Sequence, residues 1–227
     1  MARTVQLEAA HLLAVRPYGD SSLLLEAFTA AHGRIGLIAR GARAPRSRLR
    51  GVLQPFAPLL LSWRLSGELG TLTGAEAQAP PVLLTGERTF FGWYMNELIL
   101  RLLQRHDAHP RLYAVYAALL PELAGSETDA EIALRLFEKR LLADIGYGLH
   151  LDADLDPARH YRYDWERGPV VDSQGYAGAS LIALRDERLD DETSRRDARH
   201  LLRAAIRRQL GGRELQAAAL LRQLRGT

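Results

Sequence analysis

Cysteine is absent from all 227 residues, which excludes disulfides, thiolate zinc sites and cysteine nucleophiles. Lysine occurs once, at Lys139, so the basic chemistry of this chain is arginine chemistry. No apolar run approaches the roughly 20 residues that span a bilayer. The N-terminal MARTVQLEAA also lacks the apolar segment of a signal peptide. The expectation is a cytoplasmic protein without membrane contact. Motifs of catalysis are missing as well: there is no GxSxG, no GxxxxGK[ST], no GxGxxG after a strand and no HExxH. Neither an enzyme nor a bound cofactor is expected.

What the chain does contain is unevenly placed charge. Residues 1–80 hold 9 basic and 5 acidic side chains, residues 81–150 hold 7 and 9, residues 151–192 hold 5 and 11, and residues 193–227 hold 9 and 2. Two basic ends thus flank an acidic middle, a distribution that bears on partners rather than on fold. The densest positive stretch is GRIGLIARGARAPRSRLRGVLQPF, residues 33–56. It carries Arg34, Arg40, Arg43, Arg46, Arg48 and Arg50 with no acidic residue between them. Arginine forks suit phosphate oxygens better than a lysine point charge. The segment therefore reads as a polyanion contact, with a solvated arginine loop as the alternative.

The first 80 residues have the pattern of short strands. His11–Val15, Ser22–Phe28, Arg34–Ala39, Leu59–Leu65 and Leu69–Thr73 are apolar or alternating runs. The breaks between them are turn-like: Pro17-Tyr18-Gly19-Asp20, Ala31-His32-Gly33 and Ser66-Gly67. Five strands with a long loop after the third fit a closed barrel of the OB type, and equally another small barrel such as an SH3-like one. In an OB barrel, basic side chains and aromatic platforms together track a single strand. Tyr18, Phe28, Phe56 and Trp63 are the aromatics on offer, and alternation puts Trp63 with Leu59 and Leu61 toward the core.

Pro80-Pro81 marks a change of period, giving an expected division into residues 1–80 and 81–227. Phe90, Phe91, Tyr94, Leu98 and Leu102 recur at helical spacing, and Leu112–Leu123 and Ile132–Ile145 repeat the pattern. A small β-hairpin is expected within about 150–178, around His160–Trp165 and Val170-Val171. Two further helices should follow, one capped by Ser194 and the last over Leu215–Leu224. The fold class is α+β multidomain: a five-stranded barrel, then a mainly helical region with a hairpin insertion. Arg195, Arg196, Arg199, Arg203, Arg207 and Arg208 form the polar face of the 194–210 helix. That face is either solvated or meets an acidic partner, and the acidic residues at 186–192 are available to neutralise it. His150, Asp152, Asp154, Asp156 and His160 imitate the start of a calcium loop, but the Gly and the distal Glu of that motif are missing. No metal is expected.

Several blocks resemble the N-terminal pattern of the bacterial RecO family of recombination mediators. They are VRPYGDSSLLL (15–25), HGRIGLIARGA (32–42), GVLQPF (51–56) and GELGTLTGAE (67–76), with LGGR (210–213) similar to the family's C-terminal close. The resemblance implies an N-terminal OB-fold and a helical domain. It further implies binding to single- and double-stranded DNA, annealing of complementary strands, and loading of RecA with the partner RecR onto strands coated by single-strand-binding protein (SSB). It places the chain among bacterial, nucleoid-associated proteins. Arg34, Arg40, Arg43, Arg46, Arg48 and Arg50 become the expected DNA contacts, and Arg195, Arg199 and Arg203 the expected rim for the acidic tail of SSB. Two departures stand out. Some members carry a cysteine zinc site near 150–180, which this chain lacks, and an expected Ser/Thr-Arg pair is Ala217-Ala218 here. An RNA-binding or ribosome-associated OB protein would use the same arginines and is the competing reading.

Overall fold

The computed structural model describes residues 3–65, 67–152 and 154–225, so Ser66 of the expected Ser66-Gly67 turn lies outside the described residues. Two compact units emerge, Met1–Ala124 with Leu215–Thr227, and Gly125–Glu214.

In the first unit, β1 (Arg3–Tyr18), β2 (Ser22–Thr29), β3 (Gly33–Ala39), β4 (Leu59–Leu65) and β5 (Leu69–Ala77) close a barrel in the order β1-β2-β3-β5-β4. The closing β3–β5 pair is parallel and the other pairs are antiparallel. This is the OB arrangement. Alternation decides which side chains fill it: Leu12, Leu25, Ile35, Leu37, Leu59, Leu61 and Trp63 are buried in the barrel core. β1 is three times longer than its apolar signature, because it pairs with β4 along its first half and β2 along its second. Register shifts at Val5/Glu8 and Leu12/Ala14 break its period of two. The run His11–Val15 read from the sequence spans the second shift and covers only the middle of the strand.

On the outer face of β1 and β2, His11 and Phe28 are buried beneath α3 (Pro110–Leu119), against the rings of Tyr113 and Tyr116. α2 (Glu87–Leu102) buries Gly92, Met95, Asn96, Leu98 and Ile99. Of the expected stripe, Leu98 is buried, while Phe90, Phe91 and Tyr94 are only half-buried. The face rotates because α2 touches both β1 and α7 (Gln216–Arg225), and because Asn96 satisfies its own amide. It donates to the Leu13 carbonyl at 3.1 Å and accepts from the Tyr116 hydroxyl at 2.8 Å.

Burial holds the His11 imidazole neutral and lowers its pKa from 6.5 to about 4. Between those values the unfolded chain binds a proton that the folded one refuses, so stability rises with pH across that window and is flat above it. Urea unfolding should lose about 2 kcal/mol from pH 6.5 to about pH 5. A His11→Phe variant should lack that component; equal slopes for the two proteins would contradict it.

The second unit is built on α4 (Glu127–Asp144), whose N-terminus carries a capping box. Ser126 Oγ accepts from the Asp129 N–H at 3.1 Å, and Asp129 Oδ2 accepts from the Ser126 N–H at 2.9 Å. β6 (His160–Asp164), β7 (Gly168–Val171) and β8 (Tyr176–Ala177) form a three-stranded sheet with β6 central, where a two-stranded hairpin was expected. The extra strand has only two residues, too few for a periodic signal. α5 (Gly178–Asp186) was not expected at all; at nine residues it is too short to show a stripe. α6 (Glu192–Gln209) starts ahead of the expected cap. Asp191 is its N-cap, accepting from the Ser194 N–H at 2.8 Å, and Ser194 sits at the third helical position.

Candidate nucleic-acid interface

The connection from β3 to β4 is not an irregular loop. Successive turns follow one another through Ala42 N–H to Ala39 O, Ala44 N–H to Gly41 O and Ser47 N–H to Ala44 O, ending in the four-residue α1 (Leu49–Val52). Apolar residues at intervals pin it to the barrel. Ala42 and Leu53 are buried in the barrel core, with Leu49 and Val52 packed against it. The arginines fall between these anchors, so Arg40, Arg43, Arg46, Arg48 and Arg50 are all exposed. None of the five has an ion-pair partner among the described residues. Arg43 is held, however: its backbone N–H donates to Ser21 O at 2.8 Å and its guanidinium to Gly19 O at 3.1 Å, tying the segment to the β1–β2 turn.

Arg34 differs from the others. Its guanidinium donates to the Leu100 carbonyl near the end of α2, and burial lowers its pKa, with Glu26 opposing and Arg105 adding to the effect. The adjoining glycines explain why. A Cβ at Gly33 would lie 1.7 Å from the Asp107 carbonyl oxygen, and Gly33 itself has φ +64°. A Cβ at Gly36 would lie 2.5 Å from Leu69 Cδ2 and 3.2 Å from Arg105 Nη2. Thus HGRIG (32–36) forms a socket for the connection between α2 and α3, where Arg105 pairs with Glu26 and His106 N–H donates to Arg34 O at 2.9 Å. Arginine spacing alone could not separate Arg34 from the rest, since the groups that engage it lie some 70 residues later.

The aromatic side chains also separate. Phe28, Phe56 and Trp63 are buried, and Tyr18 is exposed at the end of β1.

In the second unit, Arg195 and Arg199 on the positive face of α6 pair with α4 rather than with the acidic side chains at 186–192. Arg195 lies 3.6 Å from Glu131, and Arg199 pairs with the same carboxylate. Arg195 also donates to the carbonyls of Leu189 and Asp190, at 3.2 and 2.8 Å. Of the acidic residues, Glu187 pairs with Lys139 and Arg140, Asp186 with Arg185 and Arg188, and Asp191 caps α6. Arg208 stacks over the Trp165 ring at 5.9 Å. Two guanidinia on one Glu131 leave an excess positive charge there.

Buried leucines and tyrosine hydroxyls organise the described part of the His150–His160 stretch. Leu151 and Leu155 are buried, the Tyr163 hydroxyl accepts from His150 N–H at 2.8 Å, and the Tyr161 hydroxyl accepts from Asp156 N–H at 2.9 Å. Asp156 then caps Ala158 N–H at 2.9 Å. Among the described residues, no three His, Asp or Glu side chains are grouped to hold a metal ion. Nor is any helix among them long and apolar enough to cross a membrane.

Two family models match this chain: "Recombination protein O N terminal" over residues 1–81 and "Recombination protein O C terminal" over residues 83–217. Proteins named DNA repair protein RecO are similar along nearly the whole length. That of Methylococcus capsulatus is 45% identical, covering 96% of this chain and 93% of its own. The Nitrosococcus oceani protein is 42% identical, with 97% and 94% covered. The Coxiella burnetii protein is 39% identical, with 97% and 100% covered.

Proposed function

This chain belongs to the recombination protein O family, and from that membership we propose that it is a DNA-binding recombination mediator in DNA repair. In this reading it works at the bacterial nucleoid without catalytic chemistry. It binds single- and double-stranded DNA, anneals complementary strands and, with RecR, helps load RecA onto SSB-coated single strands. The observation that carries the reading is the row of exposed, unopposed arginines on the β3–β4 connection: Arg40, Arg43, Arg46, Arg48 and Arg50. Phosphate contacts of this kind position a strand without reading its bases. Arg34, engaged by Leu100, contributes by shaping the surface.

The rim for the acidic tail of SSB is assigned to α6, at Arg195, Arg199 and Arg203. The two-to-one ratio of arginine to Glu131 supports it, since a tail carboxylate there would meet uncompensated charge.

The test is annealing of complementary oligonucleotides, bare and SSB-coated, alongside binding to single-stranded DNA at several salt concentrations. If four arginines each neutralise a phosphate, the log–log salt slope should be near −3, at roughly −0.7 per contact. Affinity should then fall about 50-fold between roughly 50 and 200 mM salt. A slope near zero with no acceleration of annealing would overturn the reading. Tighter binding to RNA of matched length would favour the ribosome-associated alternative.

A further inference from the structure

The β1–β2 turn carries an aromatic ring that the barrel leaves unused. Phe28 packs edge-on against Tyr113 and Tyr116, Trp63 against His32, and Phe56 against Trp93. Tyr18 is 47% exposed, and no ring meets it among the described residues. Tyr18 is not part of the barrel core, and about half of this large amphipathic side chain is open to solvent.

Its position is set by the sheet and by the arginine segment. Tyr18 pairs with Ser22, and the next row of the sheet is Pro17, Leu23 and Ala39. Arg40 follows Ala39, so it leaves β3 at the same end of the sheet as Tyr18. Two strand spacings put them about 10 Å apart. Arg16 is exposed two residues before Tyr18, on the same face of β1. The carbonyls flanking the turn, those of Gly19 and Ser21, both accept from Arg43. Arg16, Arg40 and Arg43 thus lie at the same end of the barrel as the ring. Asp20, the one acid of the turn, leaves the local balance positive.

We infer that Tyr18 is the base-stacking platform of this surface and makes it favour unpaired nucleotides over duplex. The inference rests on the nucleic-acid reading of the arginine segment and adds a ligand preference to it. The guanidinia take backbone phosphates of either ligand. A ring face can be covered only by a base that has left its own stack, which a single strand offers and an intact duplex does not. Stacking of this kind tolerates any base, so it adds strand preference without adding sequence preference.

The test compares the full-length protein with Tyr18→Ala, Tyr18→Phe and Tyr18→Trp by fluorescence anisotropy at low salt. Three labelled ligands of equal length are used: oligothymidylate, an abasic strand and a duplex. Tyr18→Ala should weaken oligothymidylate binding about tenfold, the loss of one base–aromatic stack. Abasic-strand and duplex binding should stay within about twofold, because their phosphate contacts remain. Tyr18→Phe and Tyr18→Trp should bind like the parent. Parent-like oligothymidylate binding by Tyr18→Ala would overturn the inference, as would equal losses on all three ligands. An Arg46→Glu/Arg48→Glu/Arg50→Glu variant separates the two levels. If it loses all three ligands while Tyr18→Ala loses none, only the stacking role falls. If it keeps all three, the arginine reading falls.

Discussion

Replacing Arg46, Arg48 and Arg50 together with glutamate should lower affinity for single-stranded DNA on the order of a hundredfold at low salt and abolish annealing. Three phosphate contacts are lost, and three carboxylates then repel the same backbone. The remaining salt slope should fall to about −1 or less, since each contact carries roughly −0.7. The fold should survive, because all three side chains are exposed and none has an ion-pair partner among the described residues, and such surface changes cost little stability. Arg43 is left intact for the opposite reason: it donates to Gly19 O, so its loss would also loosen the β1–β2 turn. Melting unchanged together with parent-like binding and annealing would remove the β3–β4 connection as the DNA site. The α6 face would then be examined next, through Arg207 and Arg208.

The second large effect concerns stability. Glu138→Ala should destabilise the second unit by about 3–5 kcal/mol, the usual cost of leaving one partner of a buried ion pair alone. Glu138 is fully buried and Arg135 nearly so, both on α4. Arg135 Nη2 donates to Glu138 Oε1 at 2.8 Å, and Arg135 Nε lies 2.7 Å from Oε2 in a close ionic contact whose N–H is not directed at the oxygen. α4 also buries Ala133, Leu134, Phe137, Leu141 and Leu142, so a guanidinium left without Glu138 would remain buried on a largely apolar helix face. Thermal unfolding should drop on the order of 10 °C. An Arg135→Met/Glu138→Leu double variant should recover most of the loss, because it removes both charges and keeps apolar volume. A Glu138→Ala protein within about 1 kcal/mol of the parent would show that the pair is not carrying this energy.

Much of the first unit could be read from the sequence because barrels write themselves in alternation. Leu59, Leu61 and Trp63 mark the inward face of β4, and Leu23, Leu25 and Ala27 that of β2. The two ends of β1 could not be read, since register shifts on either side of Ala10, where the strand changes partners, break the alternation. In the second unit, β8 and α5 escaped because two and nine residues carry too little periodicity. The start of α6 moved because Asp191 and Ser194 are both good caps, and local sequence does not rank them. The candidate site was legible as a run of like charges, but not as a surface. Which arginines face water depends on where Ala42, Leu49, Val52 and Leu53 anchor the connection.

Composition and local pattern by themselves determined the almost entirely arginine-based basic chemistry, the cysteine-free 150–180 region, the barrel strands and the helical remainder. These follow from residue type and from periods of two and 3.6, which each short segment carries alone. Tertiary structure decided the rest. It turned Arg34 inward onto Leu100 while leaving Arg40, Arg46, Arg48 and Arg50 outside, engaged Arg195 and Arg199 on Glu131, and left Tyr18, unlike Phe28, Phe56 and Trp63, exposed. Each outcome depends on a partner far away in the chain. A side chain's freedom is set by what packs against it, and no local pattern encodes that neighbour.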